Sequence, residues 1–165
     1  MNELLQHLIE SLREELKQYG EMLALLDHQQ HYVVQRQTAD LMQSVAAINS
    51  QVQTIATARR EREQRQRHIA QQLNLGSAAG FAELIPLLPA DYRPLVQALV
   101  QENNELLTRV QNRVRQNHLL LSRVVEVMQR FIGSLFPGSQ TATYDDAGQM
   151  LAGGLAPHSI YDAVG

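Results

Sequence analysis

Apolar residues recur at Leu5, Leu8, Leu12, Leu16, Tyr19, Leu23 and Leu26, always in steps of three or four. That spacing sets one apolar side chain per turn on a single face of an α-helix. It predicts a first helix over about residues 2–35. Gly20 lies inside the pattern and costs about 1 kcal/mol relative to alanine without breaking the stripe. A second stripe runs Leu41, Val45, Ile48, Val52, Ile55. Continued in the same register it meets Arg59, Arg62, Gln66, Ile69 and Leu73, so the heptad frame persists through a polar middle. This predicts a helix over about 39–75. Thr38 is the expected N-cap, its hydroxyl accepting a backbone N–H, and Gly76 the expected residue past the end.

Gly76, Gly80, Pro86, Pro89 and Pro94 then punctuate the chain. Between them, Phe81-Ala-Glu-Leu-Ile-Pro-Leu-Leu88 is apolar enough for a short helix over about 80–88. Asp91 is placed to cap the last helix, with Pro94 in its first turn. That helix, over about 91–136, carries Val96, Val100, Asn103, Leu107, Val110, Val114, Asn117, Leu121, Val124, Met128, Phe131 and Leu135, again in steps of three or four. Asn103 and Asn117 sit on the seam, where a buried Asn fixes the register of paired helices at some cost in stability.

The fold class that follows is all-α. It is an elongated antiparallel bundle of three long helices, with a short helical turn between the second and third, coiled-coil-like packing and a flexible C-terminal tail. The end of the last helix carries more apolar surface than one seam requires. Leu119, Leu120, Val124, Val125, Val127, Met128, Phe131, Ile132, Leu135 and Phe136 surround most of its circumference. One stripe packs on a neighbouring helix, and the surplus needs a second surface. That surface is the first helix with the 81–88 turn, or a partner chain, or a second copy meeting through this helix or the tail.

Composition narrows the chemistry. The chain has 165 residues, no cysteine and no tryptophan. Disulfides, cysteine-ligated metals and thiol nucleophiles are therefore excluded. Charge becomes informative once it is split by position. Residues 1–136 hold all 14 Lys and Arg and balance them with acids. Residues 137–165 hold Asp145, Asp146 and Asp162 with no Lys or Arg, so the formal net charge of −3 belongs to an acidic, glycine-bearing tail. No window nears the roughly 18–20 apolar residues of a spanning helix, and Met-Asn-Glu-Leu-Leu is not a signal peptide. A soluble, cytoplasmic protein without membrane insertion is expected.

Candidate sites are few. His28 and His31 with Asp27 form the one metal-like spacing, but a site needs more ligands than this, so no metal is assigned. Arg59, Arg60, Arg62, Arg65 and Arg67 outnumber Glu61 and Glu63. The excess is small and lacks interleaved aromatics, so no nucleic acid is assigned. An acidic protein partner, or the chain's own tail, fits it better. No nucleophile elbow, phosphate loop or diagnostic carboxylate pair occurs, so no catalytic residue and no cofactor are assigned.

The layout as a whole resembles the FlgN-type flagellar export chaperones. The likeness rests on three stretches in order. They are the Leu-rich opening helix through Leu25-Leu26, then Asn103-Asn-Glu-Leu-Leu107 with Asn117 ahead of a Leu/Val-rich run, then Tyr144-Asp-Asp-Ala-Gly-Gln149. The resemblance implies binding to hook-associated (hook–filament junction) subunits, which are held unassembled and delivered to the export gate of the flagellar type III apparatus. It places subunit binding on Leu120, Val124, Val127, Met128, Phe131, Ile132 and Leu135, and gate docking on Tyr144, Asp145 and Gly148. The alternative is a structural coiled-coil adaptor or dimerisation module with no secreted client.

Overall fold

The computed structural model describes residues 2–135. Its elements are α1 (Asn2–Val34), α2 (Thr38–Gln72), α3 (Phe81–Leu84, continuing as a 3-10 turn over Ile85–Leu87) and α4 (Arg93–Leu135). No strand occurs among the described residues. Contacts divide the chain into a unit spanning Met1–Arg123 and a second unit beginning at Val124.

The predicted helices are present, but four of their ends are built differently. Thr38 is the first helical residue of α2 rather than its cap; Gln37 precedes it and supplies no side-chain cap bond. α2 stops before Gly76 is reached. Asn74 takes the left-handed conformation at φ 55°. Its N–H bonds to Gln71 O at 3.1 Å, and the N–H of Leu75 bonds to Ala70 O at 2.8 Å. These crossed bonds satisfy carbonyls the helix end would otherwise leave unpaired. α1 ends the same way around Arg36 at φ 57°, with Gln37 N–H bonded to Tyr32 O at 2.9 Å. At α4, Tyr92 directly precedes the first helical residue and its carbonyl accepts from Val96 N–H at 3.0 Å, with Asp91 one position further out.

Within the first unit, α1 is buried along two sides. Leu5, Leu8, Leu12, Tyr19 and Leu26 form the expected stripe, and Ser11, Glu15, Gln18, Met22 and Gln29 are buried as well. Two neighbours account for this. α2 runs antiparallel to α1, since Gln51 reaches Gln18 while Arg65 reaches back to His7. α4 runs parallel to α1, since Asn103 meets Leu12 and Asn117 meets Leu26.

The buried apolar residues fall into two clusters. The larger joins Leu5, Leu8, Ile9 and Leu12 to Ile69 and Ala70, to Ala79, Leu84 and Leu88, and to Val96 and Leu99. The smaller holds Tyr19, Met22, Leu26, Ile48 and Val110. Burying a side chain of this size is worth about 1.5–3 kcal/mol, so the larger cluster supplies most of the driving force. Leu84 and Leu88 explain the 81–88 stretch, which seats apolar side chains in the larger cluster.

The α2 seam departs from its heptad reading. Val45 and Val52 are exposed, whereas Ser44, Ile48, Ala58, Ile69 and Ala70 are buried. The inner face keeps Ile48 and Ile69 of the predicted stripe and is otherwise rotated toward Ser44, Ala58 and the Arg62–Glu15 pair.

Candidate functional site

On α4, inward positions alternate with solvent as far as Leu121. Val96, Leu99, Asn103, Val110 and Asn117 are buried, and Val100, Leu107, Val114 and Leu121 are half-buried. Leu120 is half-buried too. The pattern then changes. Val124, Val125, Val127, Met128, Phe131 and Ile132 are all exposed, at between 36% and 64%. At 100° per residue they cover a broad arc of the helix, with Glu126, Gln129 and Arg130 on its other side. Six exposed apolar side chains within nine residues are a feature that a single helix does not retain for its own stability. Leu135 closes α4, but its side chain lies outside the described residues, as do Tyr144, Asp145 and Gly148.

Asn103 and Asn117 have defined positions in the core. Asn103 Nδ2 donates to Leu12 O at 3.0 Å and to Leu99 O at 2.9 Å. Asn117 Nδ2 donates to Leu26 O at 2.7 Å and to Gln29 Oε1 at 3.1 Å. Both Oδ1 atoms are buried and accept no hydrogen bond among the described residues.

Arg62, one of the arginines for which an acidic protein partner or the tail was expected, is instead drawn into the α1–α2 interface. Its Nε donates to Glu15 Oε2 at 2.9 Å, and its side chain is 15% exposed against 5% for Glu15. Nη1 donates to Gln66 Oε1 at 2.9 Å, and Gln66 Nε2 donates to Ala79 O at 2.8 Å. The guanidinium also lies 5.7 Å from the Phe81 ring centroid. Tyr19 completes the network by donating its hydroxyl to Glu15 Oε1 at 2.9 Å. Burial, and then the Glu15 charge, push the Tyr19 phenol well above its ordinary range. The Glu63 carboxylate on the next turn holds the Arg59 guanidinium in its charged form, raising it further.

Sequence reasoning did not single out Glu15 or Tyr19. The signal was present: Glu15 falls between Leu12 and Leu16 on the buried side of α1, and an arginine at an α2 seam position needs an acid opposite it. His28 and His31 are exposed. Asp27 pairs with Arg113 Nε at 2.8 Å, and Arg113 also donates to Gln30. Among the described residues, no group of three His, Asp or Glu is placed to hold a metal. An open hollow of 480 Å³ between α1 and α2 is lined by Glu21, Ala24, Leu25, His28, Ala47, Ser50 and Gln51. Its one carboxylate, on Glu21, lies beside Lys17 at 3.8 Å. No helix among the described residues is long and apolar enough to cross a membrane.

These features define an all-helical protein whose longest helix carries a dense run of exposed apolar side chains from Val124 to Ile132. The model of the FlgN protein family matches residues 1–152, and the chain belongs to that family of flagellar export chaperones. No curated protein matches the chain, and no solved structure does.

Proposed function

We propose that this chaperone works in the cytoplasm, where it binds hook-associated subunits through the apolar face of α4 and delivers them to the flagellar type III export gate. The observation that carries the reading is the exposed set Val124, Val127, Met128, Phe131 and Ile132. A secreted subunit that assembles through amphipathic helices exposes the same kind of stripe before assembly. A helix offering apolar residues at matching spacing masks it in the helix-in-groove mode. No bond is made or broken, so the reading needs no catalytic group and no cofactor. Leu120, half-buried, precedes this face on α4, and Leu135 is proposed for it on the family resemblance alone. Tyr144, Asp145 and Gly148 are the residues proposed for gate docking, on the family resemblance alone.

The rest of the chain supports the reading as a scaffold. Val96, Asn103, Val110 and Asn117 recur one heptad apart on α4 and all point inward, consistent with three long helices packed in a coiled-coil-like manner.

The test is co-purification of the full chain with hook-associated subunits. Val124→Asp combined with Phe131→Asp is expected to abolish capture while leaving the circular dichroism spectrum unchanged. Capture that survives both changes places the binding face elsewhere. Tyr144→Ala is expected to keep subunit binding and weaken gate docking. A homodimer is the second reading, because the same exposed face also suits a second copy. A stable dimer in sedimentation that ignores hook-associated subunits favours the adaptor.

A further inference from the structure

The two apolar clusters of the first unit are unequal, and α2 takes part in them unevenly. The side chains sealed most completely from solvent, Leu5, Leu8, Leu12, Ile69, Leu84, Leu88 and Val96, all belong to the larger cluster. The smaller cluster contains none of them. Over residues 38–57, α2 buries only Ser44 and Ile48, and it is tied to α1 by Gln51, whose Nε2 donates to Gln18 Oε1 at 2.7 Å. Over 58–72 it buries Ala58, Ile69 and Ala70, and Arg62, Arg65 and Gln66 each bond outside the helix. Intrinsic preference has the same sense. Residues 38–57 include Thr38, Val45, Ile48, Asn49, Val52, Thr54, Ile55 and Thr57, whereas 58–72 is mostly Ala, Arg, Glu and Gln. β-branched residues and Asn favour the helix less than those do, by up to about 0.7 kcal/mol each.

We infer that residues 38–57 of α2 form a separately melting segment, bounded by the Glu15–Arg62 ion pair, which opens while the larger cluster stays folded. Along the chain Glu15, Arg62 and Asn103 fall between residues of the two clusters on α1, α2 and α4, and the buried residues of the two clusters are separate sets. Melting uncovers Tyr19, Met22 and Leu26 of α1 and Val110 of α4, the residues Ile48 packs among. Units of unequal stability within one domain are a general property of native proteins, and few buried apolar contacts mark the weaker one.

Amide hydrogen exchange on the full chain tests this directly. Amides of residues 44–55 are expected to exchange faster than those of 66–72 by about 100-fold or more, with a shallower denaturant dependence, the mark of an opening smaller than global unfolding. Equal protection across α2 overturns the inference. Two variants give an independent reading. Ile69→Ala is expected to speed exchange within 66–72 and leave 38–57 unchanged, because the larger cluster stays folded when 38–57 opens, whereas Ile48→Ala speeds both. If Ile69→Ala speeds both to the same degree, α2 is one cooperative unit and the inference fails.

Discussion

Asn103 on α4 donates its side-chain amide to the main-chain carbonyl of Leu12 on α1, 91 positions earlier in the chain, and Asn117 repeats the contact with Leu26 at the same separation. The repeat fixes both the direction and the register of the two helices. A slip by one residue would carry both amides away from the carbonyls they meet. Each Asn still keeps an unpaired Oδ1 in the core, a penalty of about 1–3 kcal/mol. The pattern is one of register held at the expense of stability.

Substitutions at Asn103 separate those two roles. Asn103→Leu removes an unpaired acceptor and leaves Leu12 O and Leu99 O their bonds within their own helices. It should change unfolding free energy by less than about 1.5 kcal/mol in either direction. Asn103→Asp replaces the donor with a buried carboxylate facing two carbonyls, and should destabilise by about 3–5 kcal/mol. Urea unfolding monitored by circular dichroism measures both.

The Glu15–Arg62 pair is expected to be strongly asymmetric on mutation. Arg62→Ala leaves Glu15 buried with only the Tyr19 hydroxyl as partner and should cost about 3–5 kcal/mol. Replacing both residues with leucine should recover most of that loss. A double-mutant cycle by chemical denaturation gives the coupling, and additivity of the two single changes would refute the geometry.

Tyr19 gives the protein an alkaline limit. Its phenol is raised in the folded chain by burial and by Glu15. The folded state therefore holds this proton at a pH where the unfolded state has released it. The contribution to stability is complete below the ordinary tyrosine value of about 10 and declines as pH rises beyond it. Melting temperatures between roughly pH 9 and 11.5 should fall more steeply in the wild type than in Tyr19→Phe.

Arg36 occupies a left-handed conformation that glycine adopts without a side-chain penalty. Arg36→Gly should raise stability by about 1 kcal/mol, because the two crossed bonds at the end of α1 are made by backbone and survive the change. An unchanged or lowered denaturation midpoint would show that Arg36 contributes a compensating contact.

The long elements were legible because each presents a stripe in steps of three and four, and because proline and glycine cluster between α2 and α4. The apolar surplus from Val124 to Ile132 was legible for the same reason: no single-seam pattern absorbs it. The inner face of α2 was not. Hydropathy alone ranks Val45 and Val52 above Ser44 and Ala58, yet closeness to α1 selects the small side chains. The role of Arg62 was not legible because its acidic partner lies 47 positions away, on another helix. Helix ends were missed where Asn74 and Arg36 adopt a conformation for which glycine is the usual signal.

Parallel pairing of α1 with α4 has a kinetic consequence. Neighbouring helices joined by a short turn meet through local closure, as α1 and α2 do across residues 35–37. The contact between Leu12 and Asn103 instead closes a loop of 91 positions, and each doubling of loop length adds roughly 0.6 kcal/mol of chain entropy. The α1–α2 hairpin therefore closes through more local contacts than the α1–α4 pair. Until α4 docks, Leu5, Leu8 and Leu12 face solvent on one side of a two-helix intermediate. Slow docking of α4 would lengthen the life of that exposed hairpin.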